Sequence, residues 1–260
     1  MTIVLSVSLT VLTVLISIIG LLLFRRMFLK LSLKDHHDVA DPYSQFVGML
    51  FAVLLGFMVA DAMQRFGNAR SVVEQEASAI GNIYRLSDGL KSPKREEIQN
   101  TCQTYLETVV QKEWAMMAKK ETCRESWAAY KKLWDVCINF DPVTTREANI
   151  HQCLLPTMES VGENRRLRVD ALHNGLPPVL WAVLIVGGIA TIIFTYFFNI
   201  DNVKLQIVMV GMVSLVICLN IFLLATYDDP FSGDVKITAD PFETQLYLFK
   251  MSKQNFSNAP

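Results

Sequence analysis

Four apolar runs divide this chain, and each must either cross a bilayer or be hidden by a large protein core. Residues 3–24 carry no charge. As a helix rising 1.5 Å per residue they reach about 33 Å, enough for a hydrocarbon layer of about 30 Å. Residues 179–198 and 205–225 have the same character, the former opened by Pro177-Pro178, which suit a helix start. Residues 46–60 would reach only about 23 Å, so this run spans only if Ser44, Gln45, Asp61 and Gln64 lie partly within the membrane zone. Those polar flanks then need protein or water beside them. Arg25-Arg26 follow the first run where a cleavable leader would carry small residues, so a retained span is expected.

Composition agrees with lipid as the solvent for part of the chain: 52% of residues are hydrophobic and 19% charged, with a mean hydropathy of +0.31. The 24 Lys and Arg against 25 Asp and Glu leave no basic surplus, which excludes the nucleic-acid binders. Most of the charges fall in residues 62–176, so a nearly neutral, water-exposed domain is expected between the second and third spans.

That region reads as helical, without alternation, repeats or low-complexity tracts. The second helix is expected to run on through Asp61 and Arg65, an i,i+4 pair, to about Asp88, with Gly89 as a stop. Ser92-Pro93 suits an N-cap and first residue of a helix reaching about Lys119. Cys123, Trp127, Tyr130, Trp134 and Cys137 alternate spacings of four and three, which predicts a buried apolar stripe against another helix. A last helix is expected from Thr145 towards Asn174-Gly175, bent at Pro156. The fold class predicted is thus all-α, with four transmembrane helices and a helical soluble domain inserted between the second and third spans. Residues 1–66 form the first hairpin (spans about 3–24 and 43–64), 67–176 the soluble domain, 177–227 the second hairpin (spans about 178–198 and 204–226), and 228–260 a C-terminal tail.

Catalytic chemistry has no foothold in the sequence. There is no GxSxG, HExxH, P-loop or GxGxxG opening a helix. Glu96-Glu97 sit in an exposed charged run. His36-His37 would point to different faces of a helix, and His151 with Cys153 lacks a second pair, so no metal and no cofactor is expected. Cys102, Cys123, Cys137, Cys153 and Cys218 include no CxxC, and Cys123 and Cys137 are read as buried thiols.

The informative pattern lies on the second span. Gly48, Ala52, Gly56 and Ala60 recur every fourth residue, and Gln64 continues the same face in polar form. Such a stripe is either a close-packing seam or, in a ring of copies, the wall of a narrow conduit. Arg65 and Arg70 would then stand at its mouth. Arg165, Arg166 and Arg168 form a second basic cluster near the membrane, suited to the mouth or to anionic headgroups. The membrane side of the soluble domain stays open, because basic residues flank both ends of the spans in similar number.

Several separated motifs resemble the bacterial bestrophin-like domain proteins. They are Leu55-Gly56-Phe57, Arg65-Phe66, Ala69-Arg70, Glu76-Ala77, Ala79-Ile80-Gly81, Arg165-Arg166-Leu167, the run Leu176-Pro177-Pro178-Val179-Leu180-Trp181, Phe194-Thr195-Tyr196-Phe197, Leu205-Gln206, and the post-span turn Asp229-Pro230-Phe231-Ser232-Gly233. More remotely, the topology is similar to bestrophins, pentameric anion channels with four spans per subunit and a pore lined by the second. Phe66-Gly67 replace the double tryptophan of the bacterial pattern, and the acids of the animal calcium clasp are missing after Phe231. The resemblance implies a homo-oligomeric channel for chloride or other small anions in the bacterial inner (plasma) membrane, in contact with membrane lipids. The alternative reading is a membrane-anchored helical interaction or sensing module without a pore.

Overall fold

A computed structural model describes residues 3–28, 37–198 and 202–257. The described residues are helical throughout their regular structure: α1 (Ile3–Phe28), α2 (His37–Ser87), α3 (Lys94–Thr108), a π-helical turn (Val109–Glu113), α4 (Trp114–Met117), α5 (Arg124–Ile138), α6 (Thr145–Asp170), α7 (Pro178–Tyr196), α8 (Val203–Tyr227) and α9 (Asp240–Ser257). His36, the side chain of His37 and part of the 199–204 hairpin lie outside the described residues. Among the described residues four helices are long and apolar enough to cross a membrane, in the segments Val4–Met27, Gln45–Ser87, Pro178–Tyr196 and Val203–Tyr227.

The chain divides into two compact units. The first comprises Met1–Phe66, Gly175–Asp229 and Gly233–Val235; the second comprises Gly67–Asn174, Pro230–Ser232 and Lys236–Pro260. In the first unit α1 packs along α8, and α7 touches both. Leu21, Phe51, Leu55, Leu184, Val210 and Leu224 form its core, while outward Val, Leu and Ile side chains remain exposed. That pattern suits lipid, which solvates apolar surface but leaves no polar group unsatisfied without cost. The hydroxyls accordingly bond back along their own helix, as Ser8 to the Val4 carbonyl at 2.9 Å and Thr13 to that of Leu9 at 2.8 Å. Gln206, 1% exposed, donates to the Phe198 carbonyl at 2.6 Å and accepts from Arg25, and the Tyr196 hydroxyl donates to the Ser17 carbonyl at 2.8 Å.

In the second unit α3 packs on α5 and α9, and α5 on α6. The start of α6 is fixed by a capping box: Thr144 accepts from the Glu147 amide, and the Glu147 carboxylate accepts from Thr144. Several expectations change here. The α3 helix begins at Lys94 with Pro93 at the N-cap, and Ser92 instead donates to the Glu96 carboxylate at 2.6 Å. The helix expected to reach Lys119 is interrupted by the π-helical turn and ends at Met117. Pro156 lies inside α6, which continues past it to Asp170. The tail forms α9, whose Phe249 stacks on Tyr84 with ring centroids 3.8 Å apart and whose Phe242 is fully buried.

The aromatic stripe on α5 is also corrected. Cys123 and Cys137 are buried as expected, but Trp127 is 58% exposed and Trp134 half-buried. The buried face of α5 consists of Ser126, Leu133, Val136 and Cys137. The spacing of aromatic residues alone did not identify it, because the polar Ser126 holds a core position. Burial pushes the Cys137 thiol up to about 12, so it is an inert core group.

Candidate functional site

On α2, Phe51, Leu55 and Ala62 turn inward. The Phe51 ring lies against α7 at a place where only glycine fits: a Cβ on Gly187 would stand 2.8 Å from that ring. Gly48, Ala52, Gly56 and Ala60 occupy another face. A Cβ built on Gly48 or Gly56 meets nothing within 4 Å, and Ala52, Gly56, Ala60 and Gln64 are exposed. The lower-numbered part of the stripe borders an open pocket of about 460 Å³ that Thr191, Met212, Val216 and Asn220 also line. Gly48, Ala52 and Gly56 thus stand across an open pocket from residues of α7 and α8, with free space at both glycines.

Arg65 reaches Asp61 at 3.0 Å, the expected i,i+4 pair, and also Asp228 at the end of α8 at 3.3 Å. Asp228 accepts from the Leu176 amide at 2.6 Å and faces the Trp181 indole nitrogen at 3.4 Å. One carboxylate thus ties α2, the entry to α7 and the end of α8. Sequence reading singled out the neighbouring Asp229-Pro230 turn instead. In that turn the Pro230 carbonyl accepts from the Ile237 amide at 2.8 Å, Phe231 is 2% exposed, and Gly233 takes a φ of 85°, open chiefly to glycine. Arg70 is exposed and paired with Glu74 at 3.1 Å.

The second unit holds an ion network that corrects the expected basic cluster. Arg165 and Arg168 are 6% and 0% exposed, so they neither contact headgroups nor form a mouth. Only Arg166 is exposed, paired with Asp170 at 3.3 Å. Arg168 grips Glu76 of α2 with two bonds of 2.7 and 3.1 Å and reaches Glu113 at 2.9 Å. Arg165 engages both Glu113 oxygens at 2.9 Å, the Ser126 hydroxyl at 3.0 Å and the Tyr105 hydroxyl at 3.3 Å. Tyr105 donates to Glu76. Two guanidinium groups balance two carboxylates, and the remaining lone pairs are met by hydroxyls, which is what burial of charge requires. Burial pushes the Glu113 carboxyl up, but the Arg168 charge and the bonds and charge of Arg165, with Ser126, outweigh it and hold the group below the ordinary glutamate range.

Glu76, named in the sequence only within a family motif, and Glu113 and Asp228 are not among the expected site residues, although two signals point to the network. Ala69, Val73, Glu76, Ile80 and Ile83 recur at spacings of four and three, so Glu76 stands at a core position. All five are buried. Arg165 and Arg168, three apart, share a helix face that Arg166 does not. Glu113 left no such trace, because the π-helical turn shifts the register that an α-helix would give it.

The family described as Bestrophin-like domain matches residues 11–242. The fold is similar to the crystal structure of a bacterial bestrophin homolog from Klebsiella pneumoniae, with a TM-score of 0.68, 12% identity, and coverage of 96% of this chain and 99% of that one. A form of that homolog with one isoleucine-to-threonine substitution gives a TM-score of 0.69 at 12% identity over 95% of this chain and 98% of that one. A membrane protein crystallised with a proline-to-alanine substitution gives 0.67 at 12% identity over 98% of both chains. No match was found among curated proteins compared by sequence.

Proposed function

The chain belongs to the Bestrophin-like domain family, and on that premise we propose that it is an integral membrane protein whose copies form a ring, with α2 walling a path for small anions. The observation that carries this reading is the open stripe of small residues. In a chain whose other spans pack on one another, Gly48, Ala52, Gly56 and Ala60 leave backbone open on a helix apolar enough to span. A ring of such faces encloses a narrow apolar passage that turns polar at Gln64. Arg65, held by Asp61 and Asp228, and the exposed Arg70 are repeated once per copy near its end. Charge multiplied around a ring raises the local anion concentration.

Chloride efflux from liposomes tests the proposal. Arg70→Gln removes a charge paired with the solvent-exposed Glu74, so stability changes by less than about 1 kcal/mol. Efflux should be slower than for the parent at low salt, with the difference closing at high salt as screening shortens the field. A folded, reconstituted parent that carries no chloride or other small anion would leave the anchored interaction module as the better reading.

A further inference from the structure

A second pocket, of about 560 Å³, opens between α5 and α6 in the soluble unit, and nothing in an anion path uses it. Its size is that of small-molecule sites. One wall is aromatic: the Trp127 and Tyr130 rings lie 5.4 Å apart at a tilt of 36°, and Trp127 is 58% exposed. The Tyr130 hydroxyl fits against α6 because residue 162 is glycine; a Cβ there would stand 2.4 Å from the oxygen. The Arg165 guanidinium carbon lies over the Tyr130 ring, 5.9 Å from its centroid, and helps to hold it.

The charge around the pocket is uneven. Its floor is balanced, since Glu113 is already gripped by Arg165 and Arg168. At the rim, Arg166 is matched by Asp170. Arg124 has no ion-pair partner among the described residues and is exposed on the pocket edge. It is also the first residue of α5, where a positive charge opposes the helix dipole and adds nothing to helix stability. A tryptophan left open to solvent beside an unspent guanidinium combines the two elements that recognise one chemical class: a flat apolar body carrying a negative group.

We propose that the α5–α6 pocket binds a small aromatic carboxylate, its ring against Trp127 and Tyr130 and its carboxylate on Arg124. The proposal does not depend on the chain conducting anions, and its test reads binding alone.

Titration calorimetry of the full-length protein in detergent, with 2-naphthoate as probe, tests it. The parent should bind saturably. Trp127→Ala and Arg124→Gln should each weaken binding at least tenfold; both positions are exposed, so thermal melting should confirm that the fold is kept. Lys131→Gln, on the same helix and not among the pocket residues, should bind like the parent. 2-Naphthamide, of the same shape without the charge, should bind at least tenfold more weakly. Absence of saturable binding to the parent overturns the proposal. So do equal binding of naphthoate and naphthamide, equal binding by the parent and Trp127→Ala, and a loss in Lys131→Gln as large as that in Arg124→Gln.

Discussion

Arg168→Met asks how much of the soluble unit depends on its buried charges. Methionine keeps an unbranched apolar chain in place but removes three bonds of 2.7, 3.1 and 2.9 Å to Glu76 and Glu113. It also removes the guanidinium that lies 5.6 Å from the Trp114 ring and 5.7 Å from that of Phe242. Two carboxylates, 0% and 2% exposed at the side chain, are then left with Arg165 alone, so one buried negative charge is uncompensated. Removing one partner of a buried pair costs about 3–5 kcal/mol. At about 2–4 °C per kcal/mol for a unit of this size, melting should fall by about 6–20 °C.

The double variant Glu76→Gln, Arg168→Met separates charge from packing. It leaves Glu113 balanced by Arg165 and should recover at least half of the loss, as a double-mutant cycle measures. Scanning fluorimetry of the detergent-solubilised proteins reads all three. The reasoning is refuted if Arg168→Met melts within about 1 °C of the parent, against a noise floor set by Arg166→Gln, whose exposed pair is worth about 0–1 kcal/mol. A double variant as unstable as the single would assign the loss to packing and not to charge.

Two further outcomes follow from the same unit. Gly162→Ala places a methyl 2.4 Å from the Tyr130 hydroxyl and should destabilise by about 1–3 kcal/mol; Tyr130→Phe in the same chain should restore melting, because the clashing atom is gone. Glu113, held below its ordinary range when folded, contributes stability that is complete above the unfolded value and is lost as pH falls through the folded one. Melting of the parent should therefore decline on acidification below the ordinary glutamate range, and Glu113→Gln, already less stable at neutral pH, should decline less.

How much of this molecule was legible in sequence followed the physics of each part. The spans were readable because an apolar run in lipid needs no partner to be recognised, and α7 and α8 begin and end within two residues of expectation. The helical character of the inserted unit was readable from its periodicity, and the Thr145 start of α6 from its preceding threonine. Burial inside that unit was not. Aromatic spacing on α5 marked Trp127 as core, whereas the close approach of α6 chose Ser126, whose hydroxyl donates to Glu113 at 2.7 Å. Arg165 and Arg168 resembled a surface cluster because the carboxylates that neutralise them, Glu76 and Glu113, lie 92 and 52 residues or more away along the chain. Charge pairing at such separation is a property of the fold and leaves no local pattern. The stripe on α2 was visible as spacing, but the open space beside Gly48 and Gly56 is a property of the fold and leaves no local pattern.

A ring of copies conducting along α2 requires the stripe to meet water and ions in the assembled protein. Gly56→Cys tests it directly, since a Cβ at that position meets no atom of another helix within 4 Å. Anion efflux is measured from liposomes before and after a charged methanethiosulfonate reagent, with the parent as control for its own five cysteines, among them Cys218 in α8. Such a reagent modifies thiolates in water and not thiols in lipid. The account predicts that the reagent changes efflux through Gly56→Cys and leaves the parent unchanged; efflux through Gly56→Cys that the reagent does not alter, with the cysteine unmodified by mass, would contradict it.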